Sequence, residues 1–183
     1  TAARLLGTNL ADRLAITDSD RARYGVDLGT RANVLSLAEN LIVSAKAFAL
    51  GLTSSVVMPA MEDDPHGAFN DLGSLRSVTT ALGKILDGFM ADLAMVQDAS
   101  CGGTTLADNM VMTIHGDTPK DPRDRGGWPD GTPGNANWMY VYGNGLLKTG
   151  WHGGIGADGT VKGFDPRTGE DNDTASRDLA APA

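Results

Sequence analysis

The stretch Asn109-Met-Val-Met-Thr-Ile-His-Gly-Asp-Thr-Pro119 carries the pattern from which the fold is predicted. An apolar run rich in β-forming residues ends abruptly at His115, Gly116 and Asp117. Buried strands of a parallel sheet deliver polar groups to a site at their carboxyl ends in this way. We therefore predict a strand over residues 109–114, with a candidate site directly after it.

Helical periodicity marks two long segments on either side of a second short apolar run. Residues 30–50 carry apolar side chains at helical spacing, with Thr30 as the predicted N-cap and Gly51 at the C-terminal end. Residues 73–96 show a second apolar face and predict a helix long enough to cross a sheet. Two further strands are predicted from β-forming composition, at residues 53–58 and at residues 138–142.

The order strand, helix, strand over residues 53–114 predicts a parallel crossover unit. Such a unit places the ends of both strands at the same edge of the sheet. We therefore expect one α/β domain, with helices on both faces of a mostly parallel sheet. That edge would collect two polar clusters that are distant in sequence, which contain Asp63 and four further residues: Asp64, His66, His115 and Asp117.

Carboxylates and imidazoles are the ligand types of zinc and similar divalent ions, so these four residues are candidate metal ligands. The alternatives stay open: Asp64 and His66 also suit a hydrophilic turn, and His115 a hydrogen-bonded strand end. His152 follows a tryptophan and is interpreted as part of a packed turn rather than as a ligand. The glycines after residue 142 lack the spacing of a nucleotide-binding loop, so no nucleotide cofactor is predicted.

Composition argues against several classes of partner. Lys plus Arg total 15 against 23 Asp plus Glu, a formal charge of −8, and no basic stripe could follow a phosphate backbone, which disfavours nucleic acid. No apolar run approaches the ~20 residues of a membrane span.

Cys101 is the single cysteine, so no internal disulfide forms, and we interpret it as a loop residue rather than a nucleophile. A chain beginning at Thr1 is expected to be a piece of a longer protein.

Three motifs occur in an order that resembles a known family. They are Asp64-Pro-His66, then Gly116-Asp-Thr-Pro119, then Gly134-Asn-Ala-Asn-Trp138. The order is similar to the C-terminal half of an exported bacterial family of unknown function in the alkaline phosphatase and sulfatase superfamily, over residues 24–181. The resemblance implies part of an alkaline-phosphatase-like domain, a periplasmic or extracellular location, and a missing N-terminal part as partner.

The third motif departs from the family at its expected metal ligands. Where the family has Asp and His, this chain has Ala136 and Asn137, which cannot complete a two-metal site. The resemblance then implies a phosphate- or sulfate-ester hydrolase scaffold with at most one zinc-like ion and weak or lost activity. The alternative is a non-catalytic structural or binding protein of the cell surface or an extracellular assembly, with further copies as possible partners. It would use the loop at residues 116–137, with its Trp128, as a contact surface; residues 156–183 are expected to be a glycine- and aspartate-rich tail.

Overall fold

The computed structural model divides the chain into two compact units, Thr1–Ala107 and Asp108–Ala183. In the described part of the chain, the first unit is helical and the second is built from short antiparallel strands. The residues that the structure describes are 9–60, 71–115, 139–143, 149–152, 154–155, 161–165 and 168–170.

The described part of the first unit contains the helices α1 (Leu10–Leu14), α2 (Asp18–Arg23), α3 (Ala32–Ala49) and α4 (Leu72–Ala94). Helices α3 and α4 confirm the two helices predicted at residues 30–50 and 73–96. They pack against each other, and both short helices contact α3. The apolar stripes supply the buried side chains of this contact: Val34, Ala38, Leu41, Ile42, Ala45, Ile85, Phe89 and Leu93.

Of the two predictions for the ends of helix α3, the C-terminal one is confirmed and the N-terminal one is wrong. Gly51 has a φ of 66°, and its N–H donates to the carbonyl of Phe48 at 2.9 Å, as expected of a glycine that ends a helix. The predicted N-cap is wrong, because Arg31 occupies that position. The hydroxyl of Thr30 instead accepts a hydrogen bond from the backbone N–H of Asp27 at 3.0 Å, which closes a turn before the helix.

A buried carboxylate ties the short helix α2 to both long helices. Asp20 is only 5% exposed, and its side chain forms a capping box with Thr17 at the start of α2. Lys46 of α3 donates to Asp20 Oδ2 at 2.6 Å, and Arg23 donates to Oδ1 at 2.6 Å. The Nε of Arg23 also donates to Asp92 of α4 at 3.0 Å. Three helices therefore meet at one network of charges.

The pKa of Asp20 reflects these contacts. Burial by itself would raise the pKa of the carboxyl, but hydrogen bonds from Lys46, Thr17 and Arg23 outweigh burial and hold that pKa well below its ordinary value. The ionised form is therefore favoured in the folded chain relative to the unfolded chain. This difference makes the stability of the first unit depend on pH.

We expect the free energy of unfolding to fall in acid, and the fall to depend on Asp20. Above the unfolded pKa of about 4 the stabilisation is fully present. As the pH drops below that value the unfolded chain binds a proton that the folded chain does not, so stability is lost until the folded carboxyl also protonates. Urea unfolding between about pH 7 and about pH 3 measures this slope. An Asp20→Asn variant with the slope of the parent chain would contradict the assignment.

Close approach of α2 and α4 requires a glycine at position 88. Tyr24, which is fully buried, follows α2, and a Cβ added to Gly88 would lie 3.0 Å from its ring and from the carbonyl oxygen of Arg23. We expect Gly88→Ala to lower the free energy of unfolding by roughly 1–3 kcal/mol through overpacking. Gly83 lies on the same helix, and outside the adjacent turns of that helix nothing in the described part of the chain lies within 4 Å of an added Cβ.

The matched substitution at Gly83 has the opposite expected sign. Gly83→Ala removes a helix-destabilising glycine without a clash, so it should raise the free energy of unfolding by roughly 0.5–1 kcal/mol. Urea unfolding followed by far-ultraviolet circular dichroism compares the two variants. Equal and stabilising effects at Gly83 and Gly88 would show that α2 does not press on α4 in solution.

The described strands of the second unit are β1 (Val111–His115), β2 (Met139–Gly143), β3 (Gly150–His152), β4 (Gly154–Ile155) and β5 (Val161–Lys162). The first three form one antiparallel sheet in the order β1-β2-β3, and β4 pairs with β5. Met139 and Val141 of β2 are buried against Phe164 and form a small core on one face of the larger sheet.

The predicted fold class is wrong. The described strands contain no parallel pairing, so the chain does not have the mostly parallel sheet of an alkaline-phosphatase-like domain. Residues 109–114 and 138–142 are largely strand as predicted, but they pair antiparallel as β1 and β2. Residues 53–58 are not a strand, so the strand–helix–strand crossover does not form. Helices α3 and α4 bury their apolar faces against each other instead.

Candidate functional site

His115 is the one predicted metal ligand that the described residues include. It lies at the end of β1 with an exposed side chain, and its Nε2 is 3.0 Å from the hydroxyl of Thr113. Asp64, His66 and Asp117 lie outside the described residues. Because residues 53–58 form no strand, the crossover that was expected to bring Asp64 and His66 to His115 is missing, and the metal site stays a prediction.

Within the described residues, no group of three or more His, Cys, Asp or Glu side chains could hold a metal ion. His152 is 4% exposed, its Nδ1 is 3.1 Å from the carbonyl oxygen of Gly169, and its ring tilts against Phe164 at 5.5 Å. A packing role fits this histidine, as interpreted from the sequence, although it lies on a strand rather than in a turn. Cys101 is exposed in the turn that follows α4.

One face of the three-stranded sheet gathers large apolar and aromatic side chains. The register pairs Ile114 of β1 with Tyr140 of β2, and Tyr140 with Trp151 of β3. Met112 is paired with Tyr142 one step along the same strands. Directly paired residues of antiparallel strands project from the same face, and alternate residues share it. We call this surface the aromatic face: Met112, Ile114, Tyr140, Tyr142 and Trp151.

Two aromatic side chains of the aromatic face are exposed to solvent. Trp151 is 67% exposed and Tyr142 is 39% exposed, while the other three side chains are half-buried. The rings of Tyr140 and Trp151 lie 4.8 Å apart at an angle of 63°, an edge-to-face contact that holds the indole in place. Aromatic side chains held by a neighbour lose little conformational entropy when they bind.

The opposite face of β2 carries the small hydrophobic core of the second unit. Met139 and Val141 alternate with the two tyrosines, and they are the residues that pack on Phe164. The strands β1, β2 and β3 contain no Asp, Glu, Lys or Arg, although the whole chain carries a formal charge of −8. The aromatic face is therefore an uncharged surface on an acidic protein.

Sequence reasoning predicted the strand at residues 138–142 but missed the role of its outer face. The signal was present, because the alternation Met-Tyr-Val-Tyr places two tyrosines on one side and two aliphatic residues on the other. Trp151 had no comparable signal, since only the pairing of β3 with β2 brings it beside Tyr140. The loop at residues 116–137, predicted as a contact surface with Trp128, lies outside the described residues.

Comparison with protein-family models, with curated proteins and with solved structures finds no match to this chain. The resemblance to an exported hydrolase-like family therefore stays a prediction. None of the helices that the structure describes combines the length and apolarity needed to cross a bilayer, in agreement with the sequence prediction.

Proposed function

We propose that this chain is a non-catalytic binding protein whose aromatic face contacts a partner protein. Support comes chiefly from the exposed Trp151, which is held edge-to-face by Tyr140 on an uncharged sheet surface. Contiguous apolar surface of this kind is uncommon on a protein that acts alone. Tyr, Trp and Met are also the residue types most enriched at protein–protein contacts, where a few of them supply most of the binding energy.

The geometry of the rings favours a protein partner over a flat ligand. Stacking of nucleobases needs ring faces that successive flat groups can cover, and a phosphate backbone needs a positive groove. Tyr140 and Trp151 stand at 63° to each other, and the strands that carry them have no lysine or arginine. An irregular protein surface can fill the angle between such rings, whereas a run of stacked bases cannot.

Trp151→Ala is expected to weaken binding of the partner roughly 30-fold, the effect of losing one central aromatic contact of about 2 kcal/mol. A photo-reactive amino acid in place of Tyr142 first captures the partner from an extract of the source cells. Calorimetry with the purified partner then compares the parent chain with Trp151→Ala and with Trp151→Phe. The phenylalanine should restore part of the affinity because it keeps an aromatic ring beside Tyr140.

Leu28→Ala is the matched control, since Leu28 is an apolar side chain 73% exposed in the first unit. It should leave the affinity unchanged. Equal affinities for the parent chain and Trp151→Ala would overturn the proposal. Turnover of p-nitrophenyl phosphate or sulfate in the presence of zinc, abolished by His66→Ala, would overturn its non-catalytic part and favour the hydrolase hypothesis.

A further inference from the structure

Residues 53–58, Thr-Ser-Ser-Val-Val-Met, are strand-forming in sequence but belong to no strand in the structure. We call this stretch the donor segment. It begins just after the turn that ends α3, where the N–H of Leu52 donates to the carbonyl of Ala47 at 2.9 Å. Its start is therefore fixed to the helical unit, while its own residues take no part in the described sheets.

The backbone of the donor segment is available for pairing. Thr53 bonds locally to Ser55, its hydroxyl donating to the Ser55 carbonyl at 2.8 Å. Beyond this, no hydrogen bond joins Val56, Val57 or Met58 to any part of the chain that the structure describes. Free backbone donors and acceptors in a β-forming stretch are completed by adding the stretch to the edge of a sheet.

The two valines of the donor segment are exposed to solvent. Val57 is fully exposed and Val56 is 42% exposed. In a strand these two neighbours point to opposite faces, so each face of the paired segment would carry an apolar side chain at its C-terminal half. Strands that are apolar on both sides are typical of buried positions. The occupant that satisfies this segment is thus a polypeptide with an open sheet edge, rather than a small molecule.

Strand β1 offers such an edge. It is the terminal strand in the order β1-β2-β3, and in the described part of the chain only β2 pairs with it. Proteins normally protect a sheet edge with lysine, proline or a bulge, and the sequence Val-Met-Thr-Ile-His has neither of those residues. Its five residues are one fewer than the six of the donor segment, and neither stretch contains an Asp, Glu, Lys or Arg that would oppose pairing within an acidic protein.

We propose that the donor segment of one copy of this chain pairs with the free edge of β1 in a second copy. Each chain carries both elements: a stretch that belongs to no described strand, and a strand that ends its described sheet. Two copies can exchange them reciprocally, which closes a symmetric dimer without leaving either element open. This assembly uses the edge of the sheet, so it stands apart from the partner proposed for the aromatic face.

Cysteine cross-linking between two differently sized chains tests the pairing. Both carry Cys101→Ser, because Cys101 is exposed. The first also carries Val57→Cys, and the second carries a cysteine in place of Val111, Thr113 or His115, whose side chains on β1 are exposed. Opposed strand residues lie close enough for a disulfide. We expect Val57→Cys to form a mixed disulfide with one of these positions at least about tenfold faster than with a control chain. The control chain carries Asp87→Cys, at an exposed position of α4.

Rates no higher than that control would overturn the proposal. So would rapid linkage only within a single chain that carries both cysteines, because it would place the donor segment on its own β1. Sedimentation of the chain with its native Val57 measures the dimer dissociation constant independently of the cross-linking. Val57→Pro removes a backbone donor and should weaken the dimer at least about tenfold, while Val57→Thr keeps the donor and the β-branched shape and should not. Equal dimer dissociation constants for Val57→Pro and Val57→Thr would also overturn the proposal.

Discussion

Replacing Asp20 by asparagine is expected to lower the free energy of unfolding of the helical unit by roughly 3 kcal/mol. The substitution keeps the size of the side chain but removes the negative charge that Lys46 and Arg23 approach at 2.6 Å. The Lys46 side chain is only 22% exposed, so its ammonium would lose its partner where water compensates poorly. Urea unfolding at neutral pH, followed by far-ultraviolet circular dichroism, measures the loss.

A substitution at the neighbouring Asp18 is the control that distinguishes the loss of a buried charge from a general effect of removing a charge. Asp18 bonds to Arg21 at 3.0 Å, but its side chain is 94% exposed, and exposed pairs contribute little. Asp18→Asn should therefore change the free energy of unfolding by less than about 0.5 kcal/mol. Similar losses for the two variants would mean that the Asp20 network is open to solvent.

The sequence was sufficient for the long helices because their signal is local. An apolar residue every third or fourth position defines one face, and burial of α3 against α4 follows from the meeting of two such faces. The network around Asp20 was beyond sequence reasoning. Asp20 and Lys46 are 26 residues apart, and charged residues in a polar stretch predict a solvent-exposed surface. The only local signal was the capping box that Thr17 forms with Asp20.

The sheet was mispredicted because strand propensity does not specify a partner. Residues 53–58 have the composition of a strand, yet pairing depends on an edge elsewhere in the fold or in another chain. In β1, Met112 and Ile114 are half-buried while Val111, Thr113 and His115 are exposed. No residue of β1 is buried and the strand ends the described sheet, whereas the apolar run was interpreted as a strand buried on both faces.

The candidate metal site depended on the same error. Its four residues were joined only through the predicted crossover, and β1 instead runs antiparallel to the next strand of the sheet. The aromatic face rests on different evidence, namely pairing and exposure observed in the second unit. A protein that binds through an uncharged sheet face and pairs through a sheet edge would use two separate surfaces of the same small sheet.

Gly143→Ala is expected to destabilise the three-stranded sheet by about 3 kcal/mol through backbone strain and overpacking. Gly143 has a φ of 111°, which other residues rarely adopt, and an added Cβ would collide with the carbonyl oxygen of Met110 just before β1. All three tryptophans, at positions 128, 138 and 151, lie in the second unit, so tryptophan fluorescence during urea unfolding follows that unit. Gly150→Ala is the control in the same unit: its φ is 146°, but nothing in the described part of the chain lies within 4 Å of an added Cβ, so only backbone strain of about 1 kcal/mol is expected there. If Gly143→Ala unfolds at the same urea concentration as Gly150→Ala, then the close pairing of β1 with the end of β2, and with it the register that assembles the aromatic face, is not maintained in solution.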